Sequence, residues 1–209
     1  MAVLNKIRFL SIIVSLLLLT SLISCNKEYV INQDFCDKEE QRAEDYLLQS
    51  NKILSNYYPD CRLTESPFSE RSREHGFYYD VSYDALIDDN TTISIEIISD
   101  FQYTRNDRYY CVKIEREFDD VNKNGFGSKD LKLFCDLSNI VSKEGLTPSM
   151  CHSLFKRRKN TINNDDFILV DMNISTLSGY ELYYTVLDYK AGNIPEGGYC
   201  ETLRSEFSA

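Results

Sequence analysis

Hydrophobic positions recur along this chain in three different periods, and each period predicts a different element. From Phe9 to Ile23 the run is nearly continuous, broken only by Ser11, Ser15, Thr20 and Ser21. Ala43, Tyr46, Leu47, Ile53, Leu54, Tyr57 and Tyr58 then recur at helical spacing, which predicts an amphipathic helix. Asp37 and Glu40 have the spacing of a capping box at its start, and Pro59 stops it. Further on, Phe77, Tyr79, Val81, Tyr83 and Ala85 alternate with Asp80, Ser82 and Asp84, and Ile93, Ile95 and Ile97 repeat the arrangement. Period two with one polar side predicts half-buried antiparallel strands.

The same order of patterns returns in the second half. Phe35-Cys36-Asp37 recurs as Phe134-Cys135-Asp136. Tyr110-Cys111-x-x-Ile114-x-x-Glu117-Phe118 recurs as Tyr199-Cys200-x-x-Leu203-x-x-Glu206-Phe207. Leu137, Ile140 and Val141 form a helical stretch that stops at Gly145, and a new start follows at Thr147 with Pro148 in its first turn. The stretch from Pro67 to Arg73 is the weaker helical counterpart in the first half. Ile168, Val170, Met172 and Ile174, then Leu182, Tyr184 and Val186, supply the remaining strands. Self-similarity of this kind predicts a duplication. The expected fold is α+β, with two tandem repeats, each one or two helices packed on a three- or four-stranded antiparallel sheet. The first repeat spans 34–118, a linker 119–133, and the second repeat 134–209.

Lys6 and Arg8 precede the continuous apolar run, and a small residue followed by cysteine ends it, which is the layout of a secretory signal. Leu22-Ile23-Ser24-Cys25 resembles the lipobox of bacterial lipoproteins. The resemblance implies a signal peptide over 1–24 cut before Cys25, acylation (palmitate among the chains) on that thiol, and a lipidated tether over 25–33. More than one acyl chain makes anchoring stable. Asn26, where Asp is the usual sign of inner-membrane retention in that class, implies the outer membrane, facing the periplasm.

The formal charge of the whole chain is −10, and loss of Lys6 and Arg8 with the leader makes it −12. An acidic surface repels phosphate backbones, so nucleic acid is excluded as a partner. Apart from Cys25, the cysteines are Cys36, Cys61, Cys111, Cys135, Cys151 and Cys200, an even set that in an exported chain predicts three disulfides. Zinc is disfavoured because no pair has Cys-x-x-Cys spacing. A straight helix would hold Cys36 and Cys61 ~30 Å or more apart. The expected pairs are Cys61 with Cys111, Cys151 with Cys200, and Cys36 with Cys135.

Candidate chemistry is sparse, and no catalytic residue is assigned. His152 beside Cys151 does not make a nucleophile and base, because neighbours on a helix do not face each other. Asp120, Asn122, Asn124 and Gly125, followed by Asp130, resemble the start of an EF-hand or dockerin calcium loop. The closing acid stands one place early, with Leu131 at position 12, so an ordinary Asn-rich connector is the favoured reading and no cofactor is assigned. Tyr78, Tyr109, Tyr183 and Tyr189 fall opposite the predicted core, where amphipathic rings suit an interface.

Together these features predict an envelope-anchored binding lipoprotein, an inhibitor or immunity protein that neutralises a basic protein partner. It is not expected to be an enzyme. The plan is similar to that of β-lactamase inhibitory proteins, an architectural analogy carried by no sequence motif. Two alternatives stand beside it: a structural accessory of envelope assembly, and a hydrolase built from carboxylates such as Glu96, Asp100 or Asp188.

Overall fold

The computed structural model describes residues 32–72, 76–102, 105–119, 126–141, 145–156, 168–175, 180–188 and 198–208. Cys25 and the leader lie outside them, as do Asp120, Asn122, Asn124 and Tyr189. Among the described residues no helix is long and apolar enough to cross a membrane. Ile31–Ala209 forms one compact unit.

In chain order the elements are α1 (Gln33–Tyr57), β1 (Thr64–Glu65), β2 (Glu70–Ser72), β3 (Gly76–Asp88), β4 (Thr91–Gln102), β5 (Arg105–Phe118), α2 (Ser128–Ser138), α3 (Pro148–Lys156), β6 (Ile168–Ser175), β7 (Tyr180–Asp188) and β8 (Tyr199–Ser208). The fold is α+β. All strand pairings are antiparallel, and the sheet runs β1-β3-β4-β5-β8-β7-β6, with β2 also on β3. Two meanders, β3-β4-β5 and β6-β7-β8, therefore meet edge to edge where β5 pairs β8. In that seam Ile114 pairs with Leu203, Tyr110 with Phe207 and Phe118 with Tyr199.

The alternation expected of the strands is present. Phe77, Tyr79, Val81, Tyr83, Ala85, Ile93, Ile95, Ile97, Tyr110, Val112 and Ile114 are buried, as are Leu182, Tyr184, Val186 and Leu203. They pack beneath Ala43 and Leu54 of α1, Leu131, Phe134 and Leu137 of α2, and Cys151 and Leu154 of α3. Tyr110 ties the layers together: its ring meets Tyr46 edge-on at 5.3 Å, and its hydroxyl donates to the Leu137 carbonyl at 3.2 Å. Buried Ser50 of α1 is satisfied by donating to the Tyr46 carbonyl at 2.7 Å.

Several local expectations need correction. The α1 N-cap is Asn32, whose side chain accepts from the Phe35 amide at 2.9 Å, so the helix starts before Asp37, which lies inside it. Residues 67–72 do not form a helix: Glu70, Arg71 and Ser72 pair with Asp80, Tyr79 and Tyr78 as a short strand, and Arg73 lies outside the described residues. The ready edge of β3 offers backbone partners that a lone short helix would lack. α2 begins at Ser128, inside the expected linker, because Leu131 and Leu133 are fully buried there.

None of the three expected disulfides is formed. Cys61 packs against the core, its thiol donating to the Leu86 carbonyl at 3.4 Å, whereas Cys111 lies on the opposite face of the sheet. The sheet likewise separates Cys151, a member of the core, from Cys200, which shares the strand parity of Thr202 and Arg204. Asp136 bonds Tyr57, while Cys36 lies at the other end of α1 from Tyr57, roughly 31 Å away at 1.5 Å per residue. Cys135, beside Asp136, is therefore far beyond the Cα separation of about 4.4 to 6.8 Å that a bond requires.

Candidate binding face

Among the described residues the helices cover one face of the sheet and leave the other open, so the alternate residues of the strands define a polar surface. Carboxylates dominate it. Glu70 stands on β2, Asp80 and Asp84 on β3, Glu96 and Asp100 on β4, Asp107, Glu115 and Glu117 on β5, Glu206 on β8 and Glu181 on β7, all on this face by register. Among the described side chains the cations opposing them are Lys113 and Arg204. Both are engaged. Lys113 lies 3.4 Å from Glu115, and Arg204 lies 3.2 Å from Glu206 and 3.5 Å from Glu96.

The register explains this centre. Glu96, Cys111, Glu206 and Glu181 form one row across β4, β5, β8 and β7, and Lys113, Arg204 and Tyr183 form the next. Facing carboxylates in one row repel, and the Arg204 guanidinium reaches from the neighbouring row between two of them. It also donates to the Cys111 sulfur at 3.4 Å. Burial pushes the Cys111 thiol up to about 12 despite that bond. At neutral pH it is a thiol rather than a nucleophilic thiolate. Burial likewise holds the Glu96 carboxyl above its usual value, against the pull of Arg204 and with Asp80 and Glu206 adding to the rise.

Tyr78, Tyr109 and Tyr183, expected opposite the core, lie on this open face and are half-buried. They do not form one cluster. Tyr109 pairs with Ile98 near one end, and Tyr183 pairs with Arg204 two strands away. Tyr78 donates to Asp80 at 3.0 Å, and Tyr183 donates to Glu181. Burial and the Asp80 bond push the Tyr78 hydroxyl up to about 12, and the Glu181 bond does the same for Tyr183. Tyr183, Thr185, Thr202, Arg204 and Glu206 line a shallow groove of about 450 Å³. Sequence parity located Tyr78, Tyr109 and Tyr183; the row of acids around Arg204 was legible only once β5 and β8 were known to be neighbours.

Other expected groups lie elsewhere. Asp130 accepts from Tyr58 at 2.5 Å through one oxygen and from the Gly127 amide at 3.2 Å through the other, serving the start of α2. Among the described residues no group of His, Cys, Asp and Glu is arranged to hold a metal ion. Cys151 is buried and His152 is exposed with its ring edge-on to Phe155, so the two do not act together. Asp188 stands at the end of β7, paired with Tyr199 across the seam with β8. No protein family, curated protein or solved structure matches the chain.

Proposed function

We propose that this chain is an envelope-anchored binding lipoprotein that docks a basic protein partner on its open sheet face and neutralises it, as an inhibitor or immunity protein does. The carrying observation is the accumulation of carboxylates on one side of the sheet, with Lys113 and Arg204, the cations among the described side chains there, already held by acids. Such a face attracts a positive surface from a distance and rejects anionic ones. The half-buried tyrosines give it rigid apolar area at contact. In this reading Cys25 carries the lipid, the unit hangs from the outer membrane into the periplasm, and the protein has no catalytic role.

The same reading holds that the two meanders descend from one duplicated α+β unit. Ile114 and Leu203, the central residues of the recurring Tyr-Cys motif, pair directly in the seam, which supports a pseudo-twofold relation. A duplicated face offers a partner twice the continuous width of one meander.

The test is a comparison of envelope proteins retained by the immobilised wild-type chain and by a Glu96→Lys/Glu206→Lys variant. A basic protein is expected to bind the wild type, to weaken about tenfold or more between low and moderate salt, and to be lost from the variant. Equal retention by both chains, or binding indifferent to salt, overturns the proposal.

A further inference from the structure

We propose that Cys135 and Cys151 become a disulfide that clips α3 to α2 as the chain folds outside the cytoplasm. Their sulfurs lie 3.9 Å apart on the two packed helices, sixteen positions apart in the chain. Both side chains are buried. A disulfide needs about 2.05 Å between sulfurs, so the remaining gap is about 1.9 Å, less than one rotamer change of a thiol sweeps.

The element it secures has reason to be secured. α3 is nine residues long, too short to persist without tertiary support. Its Phe155 packs on Tyr184 at 4.9 Å and near Phe126 at 6.4 Å, so losing α3 uncovers the β7 side of the core. A covalent link to α2, itself tied to Tyr110, holds that cover in place.

The inference rests on the exported reading for its oxidant, a disulfide-carrying oxidoreductase of the envelope. The two thiols give up two protons and two electrons, one S–S bond forms between Cys135 and Cys151, and the carrier's disulfide leaves as a dithiol. Exchange proceeds through a thiolate. In the packed state the contact with Cys151, together with burial, pushes the Cys135 thiol far up. Oxidation therefore runs as α3 docks, before the pair is sealed, and the finished bond resists reductants while the fold persists.

Two measurements on the full chain test this. Protein from the envelope is blocked with one alkylating reagent under denaturing, unreduced conditions, then reduced and labelled with a second, and its peptides are weighed. Cys135 and Cys151 are expected to carry the second label together. In parallel, the reduced chain is refolded in a glutathione redox buffer, where the same linked peptide is expected and the melting temperature rises by roughly 6–12 °C over the reduced form. The bond forming in buffer but not in cells leaves the pairing standing and removes the exported location. Folded protein whose Cys135 and Cys151 stay reduced in buffer overturns the pairing itself. Cys135→Ala and Cys151→Ala serve as checks, each losing the oxidation-dependent rise.

Discussion

Glu39 shows how much one side chain can organise. It is buried on α1 and receives Arg42 and Arg108, each at 2.6 Å, while Ser99 donates to it at 3.1 Å. Arg108 also lies 4.8 Å over the Phe101 ring. The cluster joins α1 to β4 and β5 through a carboxylate paired with two guanidinium groups. Glu39→Ala leaves those cations facing one another, and we expect a loss of about 3 kcal/mol in urea unfolding. Glu96 on the open face behaves in the opposite sense. A carboxyl raised by burial binds its proton more tightly folded than unfolded, so its contribution is full below the unfolded value of about 4.3 and is lost as pH rises through the folded value. Glu96→Gln is therefore expected to raise the melting temperature at pH 7, with the advantage shrinking towards pH 4. Glu65, held low first by its bond from Arg71, loses its contribution as pH falls, but it is common to both chains and cancels in the difference. A glutamine variant that melts lower at pH 7 would show that pairing with Arg204 outweighs desolvation.

At the scale of elements, what the chain reveals depends on whether the signal is local. Strands β3, β4, β5, β7 and β8 were legible because each buries one face, and alternation records that directly. The start of α1 was not, because the first turn is set by Asn32 and not by apolar spacing. Asn32→Ala should cost about 1 kcal/mol, whereas Asp37→Ala, inside the helix, should change thermal stability far less. Equal losses would restore the capping box expected at Asp37. Pairings across long separations left no trace in the sequence: Lys132 donates to the Tyr57 hydroxyl at 2.7 Å and that hydroxyl donates to Asp136, fastening α2 to the end of α1. Cysteine partners were illegible for the same reason. Parity correctly put Cys111 and Cys200 opposite the core, yet the choice of bonding partners needed the helix layer that places Cys135 beside Cys151.

For the molecule as a whole, the open sheet face carries a large share of the acid excess, while on the helix side Glu39 is spent on its two arginines. The seam between the meanders is also where the chain's order in time differs from its order in space. β8 follows every other described strand in sequence, yet it sits between β5 and β7. Until Tyr199–Ser208 arrives, an emerging chain is a pair of unjoined ribbons, each with a bare flank of amides and carbonyls ready to capture a neighbour's strand. Assembly is thus completed by a keystone, and a polypeptide halted before it would clump rather than fold.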